Sequence, residues 1–177
     1  MNIYIAIWIS DHDPIGRAIR FLTHGTGTHA AFVRNGKIVE NFYPHVRERA
    51  FKPGELGQVE IYEIDNSTPA RLLALSDWLD KQLAKPKSYS ILDLFRYAVN
   101  WPPLRGNRGF CSMFVLEGVL NCVCTILCRL PYKYYGSPRD IRISPYLRQI
   151  TFQQHKELAR IADIETKREV AANSKRA

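Results

Sequence analysis

The chain has 177 residues and a formal net charge of +8. Its composition is ordinary for a globular protein, and its length is enough for one domain with a sizeable core. The positive charge suits an anionic partner such as a cell-wall polymer, a nucleic acid or a membrane surface. No nucleic-acid-binding motif accompanies the charge, however. We therefore expect a solvated basic surface and no nucleic-acid partner.

The first predicted element is a strand over Ile3–Ile9, which is rich in β-branched and aromatic residues and should be buried on both faces. Asp13-Pro14 is a good start for a short helix over Ile15–Leu22. The N-terminus lacks the basic region and the cleavage site of a signal peptide. The sequence therefore predicts a protein that is cytoplasmic as synthesised, or virion-associated if a phage encodes it.

Asn35-Gly36 lies between two apolar runs, and this pair is the strongest short signal for a β-hairpin. With these residues at the turn, His29 begins one strand and Glu40 lies on the other. The register puts both side chains on the same face of the hairpin, diagonally across the pair. A carboxylate in a mostly apolar hairpin needs a partner. His29 is the nearest candidate, and a surface arginine is the alternative.

The next elements are separated by turn-forming residues. The sequence predicts a strand over Gln58–Ile64, a helix of about four turns from Ser67 to Leu83, and a further helix over Ile91–Val99. An irregular stretch is expected over Leu130–Tyr146. A polar helix with a weak apolar stripe follows, over Thr151–Val170.

Gly109 precedes a long apolar run that is better interpreted as a helix than as a strand, with Cys111 in its first turn. The unpaired N–H groups at a helix start and the positive end of the helix dipole stabilise a thiolate. A nucleophilic thiolate needs a base, which His29 could supply while Glu40 orients the imidazole. The alternative is that Cys111 is a small buried residue of the core.

All four cysteines lie in this one apolar stretch: Cys111, Cys122, Cys124 and Cys128. Disulfides across a single helix are geometrically awkward, and the spacing matches no common zinc pattern. We therefore expect core thiols in a reducing compartment, with no metal and no cofactor. Polar residues interrupt the stretch, which favours a buried helix over an integral membrane segment.

The chain resembles the circularly permuted branch of the NlpC/P60 cysteine-peptidase superfamily, the YiiX- and YaeF-like proteins. The resemblance is carried by an ordered set of short segments over the first 150 residues. These segments are Pro14–Arg20, Thr28–Val33, Lys37–Glu40, Pro86–Tyr89, Phe110–Ser112, Ser137–Ile141 and Ser144-Pro145.

The resemblance implies an α+β, papain-like fold, circularly permuted, with an antiparallel sheet packed against the helix that carries the nucleophilic cysteine. It implies Cys111 as the nucleophile, His29 as the base and Glu40 as the third polar residue. It also implies that Tyr89 and Ser112 contact substrate. The catalytic domain would span residues 1–150, and residues 151–177 would form a polar helix and a frayed tail.

The sequence then predicts a cysteine hydrolase that cleaves an amide bond through a thioester acyl-enzyme, in a peptide of the peptidoglycan type. The expected partner is a peptide or acyl substrate such as a cell-wall fragment. Two alternatives stay open. One is a lipid acyltransferase or phospholipase that uses the same thiol, and the other is a non-catalytic protein, such as a phage virion component, that retains the fold.

Overall fold

The computed structural model describes residues 2–9, 17, 21, 27–52, 54–65, 67–98, 108–123 and 136–174. The strands in these ranges are β1 Ile3–Trp8, β2 His29–Arg34, β3 Lys37–Phe42, β4 His45–Ala50, β5 Val59–Ile64, β6 Ser88–Tyr89, β7 Arg108–Gly109 and β8 Leu147–Gln149. The helices are α1 Pro69–Ala84, α2 Ile91–Ala98, α3 Cys111–Val123, α4 Pro138–Arg142 and α5 Phe152–Ser174. The short helix predicted over Ile15–Leu22 lies almost wholly outside the described residues, as does the predicted end of the cysteine helix.

The strands form one sheet in the order β7-β6-β4-β3-β2-β1-β5-β8. Seven of them, from β6 to β8 in that order, pair antiparallel. β7 joins the edge of the sheet in parallel with β6. The class is therefore mixed α+β with a largely antiparallel sheet, as the sequence predicts.

The β2–β3 hairpin turns at Asn35 and Gly36, which have φ angles of 52° and 78°. Two positive φ values favour Asn-Gly and match the right-handed twist of the flanking strands. Arg34 pairs with Lys37. The predicted register is confirmed.

Of the strands and helices named above, five were not predicted from the sequence: β4, the short strands β6, β7 and β8, and α4. β4 was missed, because its sequence His-Val-Arg-Glu-Arg-Ala is too polar to resemble a buried strand. It pairs with β3 along its whole length. The stretch expected to be irregular contains α4, whose Ser137 N-cap forms a capping box with Asp140. Ser–Asp capping supplies partners for the free N–H groups at this helix start.

One face of the sheet packs against α1 and α3. Phe32 and Val39 of the sheet meet Leu75 of α1 together with Phe114 and Val119 of α3. All five side chains are at most 2% exposed. Such burial is the main source of folding free energy.

Gly118 allows α3 to approach its neighbours closely. A Cβ atom there would lie 2.8 Å from the Trp78 ring and 2.9 Å from the Phe32 ring. Any side chain at this position would force the helix away from α1 and from the sheet. The absence of a side chain therefore fixes how closely the cysteine helix sits on the sheet.

The opposite face carries α5. Leu158 and Ala162 of this helix pack with Ala31, Val33 and Ile38 of the hairpin. The polar helix predicted from Thr151 onward is thus present, and its apolar stripe covers this face. Within the part of the chain that the structure describes, none of the helices combines the length and hydropathy needed to cross a bilayer.

Candidate active site

Cys111 is the first residue of α3, and its position is fixed by the strands that precede it. β7 ends at Gly109, whose carbonyl accepts hydrogen bonds from the Ser90 backbone N–H at 2.7 Å and from Asn41 Nδ2 at 3.2 Å. Since Asn41 belongs to β3, the start of the helix is tied to the middle of the sheet. Cys111 itself is fully buried.

His29 is the first residue of β2, so its ring lies at the end of the sheet. The ring is held between two aromatic side chains. The centroid of Trp8 lies 5.1 Å away, and the ring of Phe42 meets it edge-on at 5.7 Å. The imidazole hydrogen-bonds the Glu40 carboxylate and interacts electrostatically with the Cys111 side chain. Packing and hydrogen bonds together leave the ring little freedom to rotate.

Glu40 is 1% exposed and lies at the centre of a cluster of cations. Its Oε2 accepts a hydrogen bond from His29 Nε2 at 2.9 Å. Its Oε1 accepts hydrogen bonds from Arg47 Nε at 2.9 Å and from Arg49 Nε at 2.8 Å. The sequence left His29 and an arginine as alternative partners. Glu40 binds both kinds of partner at once.

A second carboxylate extends this cluster. Arg49 Nη2 lies 2.7 Å from Glu55 Oε1, so one guanidinium bridges the two glutamates. Trp8 Nε1 donates to Glu55 at 3.0 Å. The side chain that packs on the His29 ring is therefore anchored to the same network that holds Glu40. This arrangement is a connected, largely buried polar network, in which each member orients the next.

The hydrogen bonds decide which ring nitrogen of His29 faces the thiol. A carboxylate between two arginines is ionised and can only accept, so Nε2 carries the proton that it shares with Glu40. Nδ1 is left for Cys111. A carboxylate in this position fixes the orientation of the ring and the tautomer of a neutral imidazole.

The charges shift the pKa values in this site strongly. Burial lowers the pKa of His29, but Cys111 and Glu40 raise it by more, to about 10. Burial raises the pKa of Glu40, whereas His29 and Arg49 hold it far below its usual range. The imidazole is therefore stabilised as the cation at neutral pH.

The two residues expected to contact substrate have other contacts in the structure. The Ser112 hydroxyl donates to the Gly136 carbonyl and is fully buried, so it ties the start of α3 to the segment before α4. Tyr89 pairs with Gly109 in the sheet, and its N–H donates to the Pro44 carbonyl at 2.9 Å. Tyr89 is half-buried, and its strand partner Gly109 precedes Cys111 by two residues.

Several residues of the site were not identified from the sequence. Each of them contacts Glu40, a partner in its network, or the backbone at the start of α3. These are Trp8, Asn41, Arg47, Arg49 and Glu55. The alternation of arginines in Arg47-Glu48-Arg49 was a usable signal. Two arginines spaced by one residue face the same side of a strand, and a buried glutamate one strand away would attract them.

A cavity of about 340 Å³ opens beside His29 on the side of the charged cluster. Its walls combine aromatic and charged side chains. They are formed by Trp8, Thr28, His29, Glu40, Phe42, Arg47, Arg49, Lys52 and Glu55. Cys111 is not among the described residues that line it.

Comparison with known proteins gives a fold but no family. No family model and no curated protein sequence matches this chain. Among solved structures, the chain is similar to the metalloprotein YiiX of Escherichia coli O157:H7, with a TM-score of 0.62 and 15% sequence identity. The match covers 85% of this chain and 96% of that one. At this identity the likeness shows a YiiX-like fold and nothing finer.

YiiX is a metalloprotein, which raises the question whether the described residues of this chain could hold a metal ion. Metal ions in proteins are held by several His, Cys, Asp or Glu side chains that converge on one point. Within the described ranges, no group of three or more such side chains is arranged to hold an ion. The Glu40 carboxylate is instead occupied by His29 and two arginines.

Proposed function

We propose that this protein is a cysteine hydrolase of the circularly permuted NlpC/P60 type, which cleaves an amide bond in a peptide. The observation that carries the proposal is that the imidazole of His29 pairs with the buried Glu40 and interacts electrostatically with the side chain of Cys111 at the start of α3. A nucleophile, a base and an orienting carboxylate in one hydrogen-bonded line is the arrangement that acyl-transfer enzymes use.

The reaction begins when the Cys111 thiolate attacks the substrate carbonyl carbon. The carbonyl oxygen becomes an oxyanion, and the backbone N–H of Cys111 at the helix start helps to stabilise it. The C–N bond then breaks, and the imidazolium of His29 gives its proton to the leaving amine. The products of this half-reaction are the free amine and a thioester on Cys111.

The second half-reaction releases the acyl group. Neutral His29 takes a proton from a water molecule, whose oxygen attacks the thioester carbon. The C–S bond breaks, the carboxylic acid leaves, and the thiolate–imidazolium pair is restored. Glu40 keeps the imidazole oriented in both steps, because its position is fixed by Arg47 and Arg49.

The order of the residues along the chain supports the permuted type. In ordinary members of the superfamily that the sequence resembles, the cysteine precedes the histidine, whereas here His29 precedes Cys111. The YiiX-like fold is consistent with that branch. Residues 1–150 then carry the catalytic machinery, and α5 covers the sheet face opposite α1 and α3.

The character of the cavity favours a peptide over a lipid. Its lining includes five charged side chains: Glu40, Arg47, Arg49, Lys52 and Glu55. A lipid acyl chain needs a long apolar channel, because its binding free energy comes from apolar area removed from water. Among the described residues of the lining, Trp8 and Phe42 are the large aromatic side chains besides the His29 ring.

The proposal is tested by incubating the protein with a panel of peptide amides and acyl esters. We expect release of amine from a subset of the peptides and a transient acyl adduct, identified by mass on the peptide containing Cys111. Cys111→Ala should show neither. Because Cys111 is fully buried, substrate binding has to expose its sulfur. Turnover of esters alone would favour the lipid enzyme, and no adduct with any substrate would favour a non-catalytic role.

A further inference from the structure

The helix α2 presents large apolar side chains to solvent on one side. Ile91, Leu92 and Phe95 are 45%, 55% and 56% exposed, whereas Leu94 is only 6% exposed. Positions i, i+1 and i+4 of a helix lie within about 100° of one another, so the three exposed side chains form one continuous face. We call it the α2 apolar face. A group of exposed apolar side chains on one helix is typical of an interaction surface.

The start of α2 is fixed, so the α2 apolar face has a defined position. Ser90 Oγ accepts a hydrogen bond from the Asp93 N–H at 3.1 Å, which caps the helix. The Ser90 N–H donates to the Gly109 carbonyl at 2.7 Å. The Asp93 side chain is fully buried. The helix is therefore anchored to the edge of the sheet through its other side, and the α2 apolar face stays outward.

The chain on both sides of α2 is basic. Residues 81–116 have a net charge of +5, against +8 for the whole chain. The single acidic residue of this stretch is Asp93, whose burial keeps its charge away from the surface. The basic residues are Lys81, Lys85, Lys87, Arg96, Arg105 and Arg108.

Two of these cations are placed close to the α2 apolar face along the chain. Arg96 belongs to α2 and follows Leu92 by one helical turn, so the two side chains are neighbours on the helix surface. Lys85 is exposed in the segment that leads into α2, whereas Lys87 pairs with Glu117. Apolar and cationic side chains thus border each other at one edge of the molecule.

From these observations we propose that α2 docks the protein on the surface of a membrane that contains anionic lipids. Ile91, Leu92 and Phe95 enter the boundary between the headgroups and the acyl chains, and the basic residues beside them bind lipid phosphates. A bilayer of this kind satisfies both features at once, because it offers an apolar layer directly beneath an anionic one. The inference goes beyond the proposed function and does not depend on catalysis.

Docking is tested by co-sedimentation of the full chain with vesicles, which requires no turnover. One set of vesicles is phosphatidylcholine alone, and the other is an equal mixture of phosphatidylcholine and phosphatidylglycerol. We expect binding to the mixed vesicles that weakens as salt is added, and much weaker binding to phosphatidylcholine alone. Equal binding to both kinds of vesicle would overturn the proposal, and so would binding to neither.

The apolar contribution is tested with Leu92→Ser, which should weaken binding to the mixed vesicles about tenfold. Phe95→Ser should act in the same direction. Both side chains are more than half exposed, so both variants should fold. The matched control is Leu73→Ser on α1, because Leu73 is 56% exposed and lies about 18 Å from Lys85 along the helix axis. Equal losses in Leu92→Ser and Leu73→Ser would overturn the assignment to α2.

The cationic contribution is tested with Lys85→Gln, which should weaken binding to the mixed vesicles about fivefold. Lys167→Gln removes the same charge from an exposed position on α5 and is the control. It should bind as the wild type does. If both variants lose affinity equally, binding follows the net charge of the protein, and docking through α2 is wrong.

A second copy of this chain is the competing occupant of the α2 apolar face. Sedimentation velocity without vesicles tells the two apart. We expect wild type and Leu92→Ser to sediment alike. A larger species in the wild type that Leu92→Ser dissociates would assign the face to self-association and overturn membrane docking.

Discussion

The two faces of the sheet are buried by different kinds of contact. Under α1 and α3 the face is apolar, with Phe32, Phe114 and Val119 packed at close range. At the His29 end of the opposite face lies a charged cluster, in which Glu40 is 1% exposed and binds three cationic side chains. Glu40 and the apolar side chains are equally buried, but only the burial of apolar surface gains free energy from the removal of water.

The difference indicates which region carries function. Burying a carboxylate and its cations costs desolvation free energy that the ion pairs often only offset, and an apolar replacement of similar shape is frequently as stable. A chain that folds for stability alone has no need of such a cluster. Under the proposed function, stability comes from the apolar face and chemistry from the cluster, in which Glu40 holds the imidazole of His29.

The apolar face should give the largest stability effect. Phe114 is 2% exposed and packs on the rings of Phe32 and Trp78. Phe114→Ala should lower the free energy of unfolding by about 3–5 kcal/mol, through lost burial and the cavity that remains. Urea denaturation measures the loss. Phe95→Ala on α2 is the control, because Phe95 is 56% exposed. A similar loss in both variants would mean that the packing described here does not hold the fold.

The charged cluster should give a smaller stability effect and a larger functional one. Arg49→Gln removes the cation that bridges Glu40 and Glu55. We expect a loss of about 1–3 kcal/mol, because a charged hydrogen-bond partner disappears while His29 and Arg47 still pair with Glu40. The rate of amine release from substrate should fall by more than the decrease in the folded fraction accounts for. An unchanged rate of amine release would mean that the cluster does not contribute to catalysis.

The pH dependence of stability should report the His29 cation. The pKa of His29 is raised from 6.5 to about 10 in the folded protein. The stabilisation from its charged contacts is therefore fully present below about pH 6.5 and is lost as the pH rises toward 10. Unfolding of wild type and His29→Gln at about pH 6 and about pH 10 should show a difference that shrinks at the higher pH. If the difference in unfolding free energy between the two proteins is the same at both pH values, the raised pKa of His29 is contradicted.

The hairpin and the site differ in how far the sequence predicts them. Asn35-Gly36 fixes a local register, so the shared face of His29 and Glu40 follows from the chain itself. The same local signals predict α1, whose Thr68 N-cap and first-turn Pro69 are visible in the sequence. Short-range rules suffice for these elements because every contact involved is close in sequence.

The cluster around Glu40 depends on contacts that short-range rules do not reach. The arginines that bind Glu40 lie on β4, a strand too polar to be recognised before its partner is known. Their positions on the face of β4 that Glu40 shares are explained by the buried carboxylate of Glu40, which needs cationic partners. The contact of Cys111 with His29 likewise depends on how α3 sits on the sheet, which Gly118 permits through its close approach to Phe32. The sequence supplies the residues, but tertiary packing decides which of them meet.

The most direct test of the account is the pH profile of Cys111 alkylation by iodoacetamide, followed by mass on the peptide that contains Cys111. Wild type, His29→Gln and Glu40→Gln are compared. If the imidazolium holds a thiolate, wild type should react at about pH 6 nearly as fast as at about pH 9. His29→Gln should lose most of the reactivity at the lower pH, and Glu40→Gln part of it. If all three proteins give one profile, with reactivity rising only near the free thiol value of about 8.5, neither residue activates Cys111 and the catalytic account is wrong.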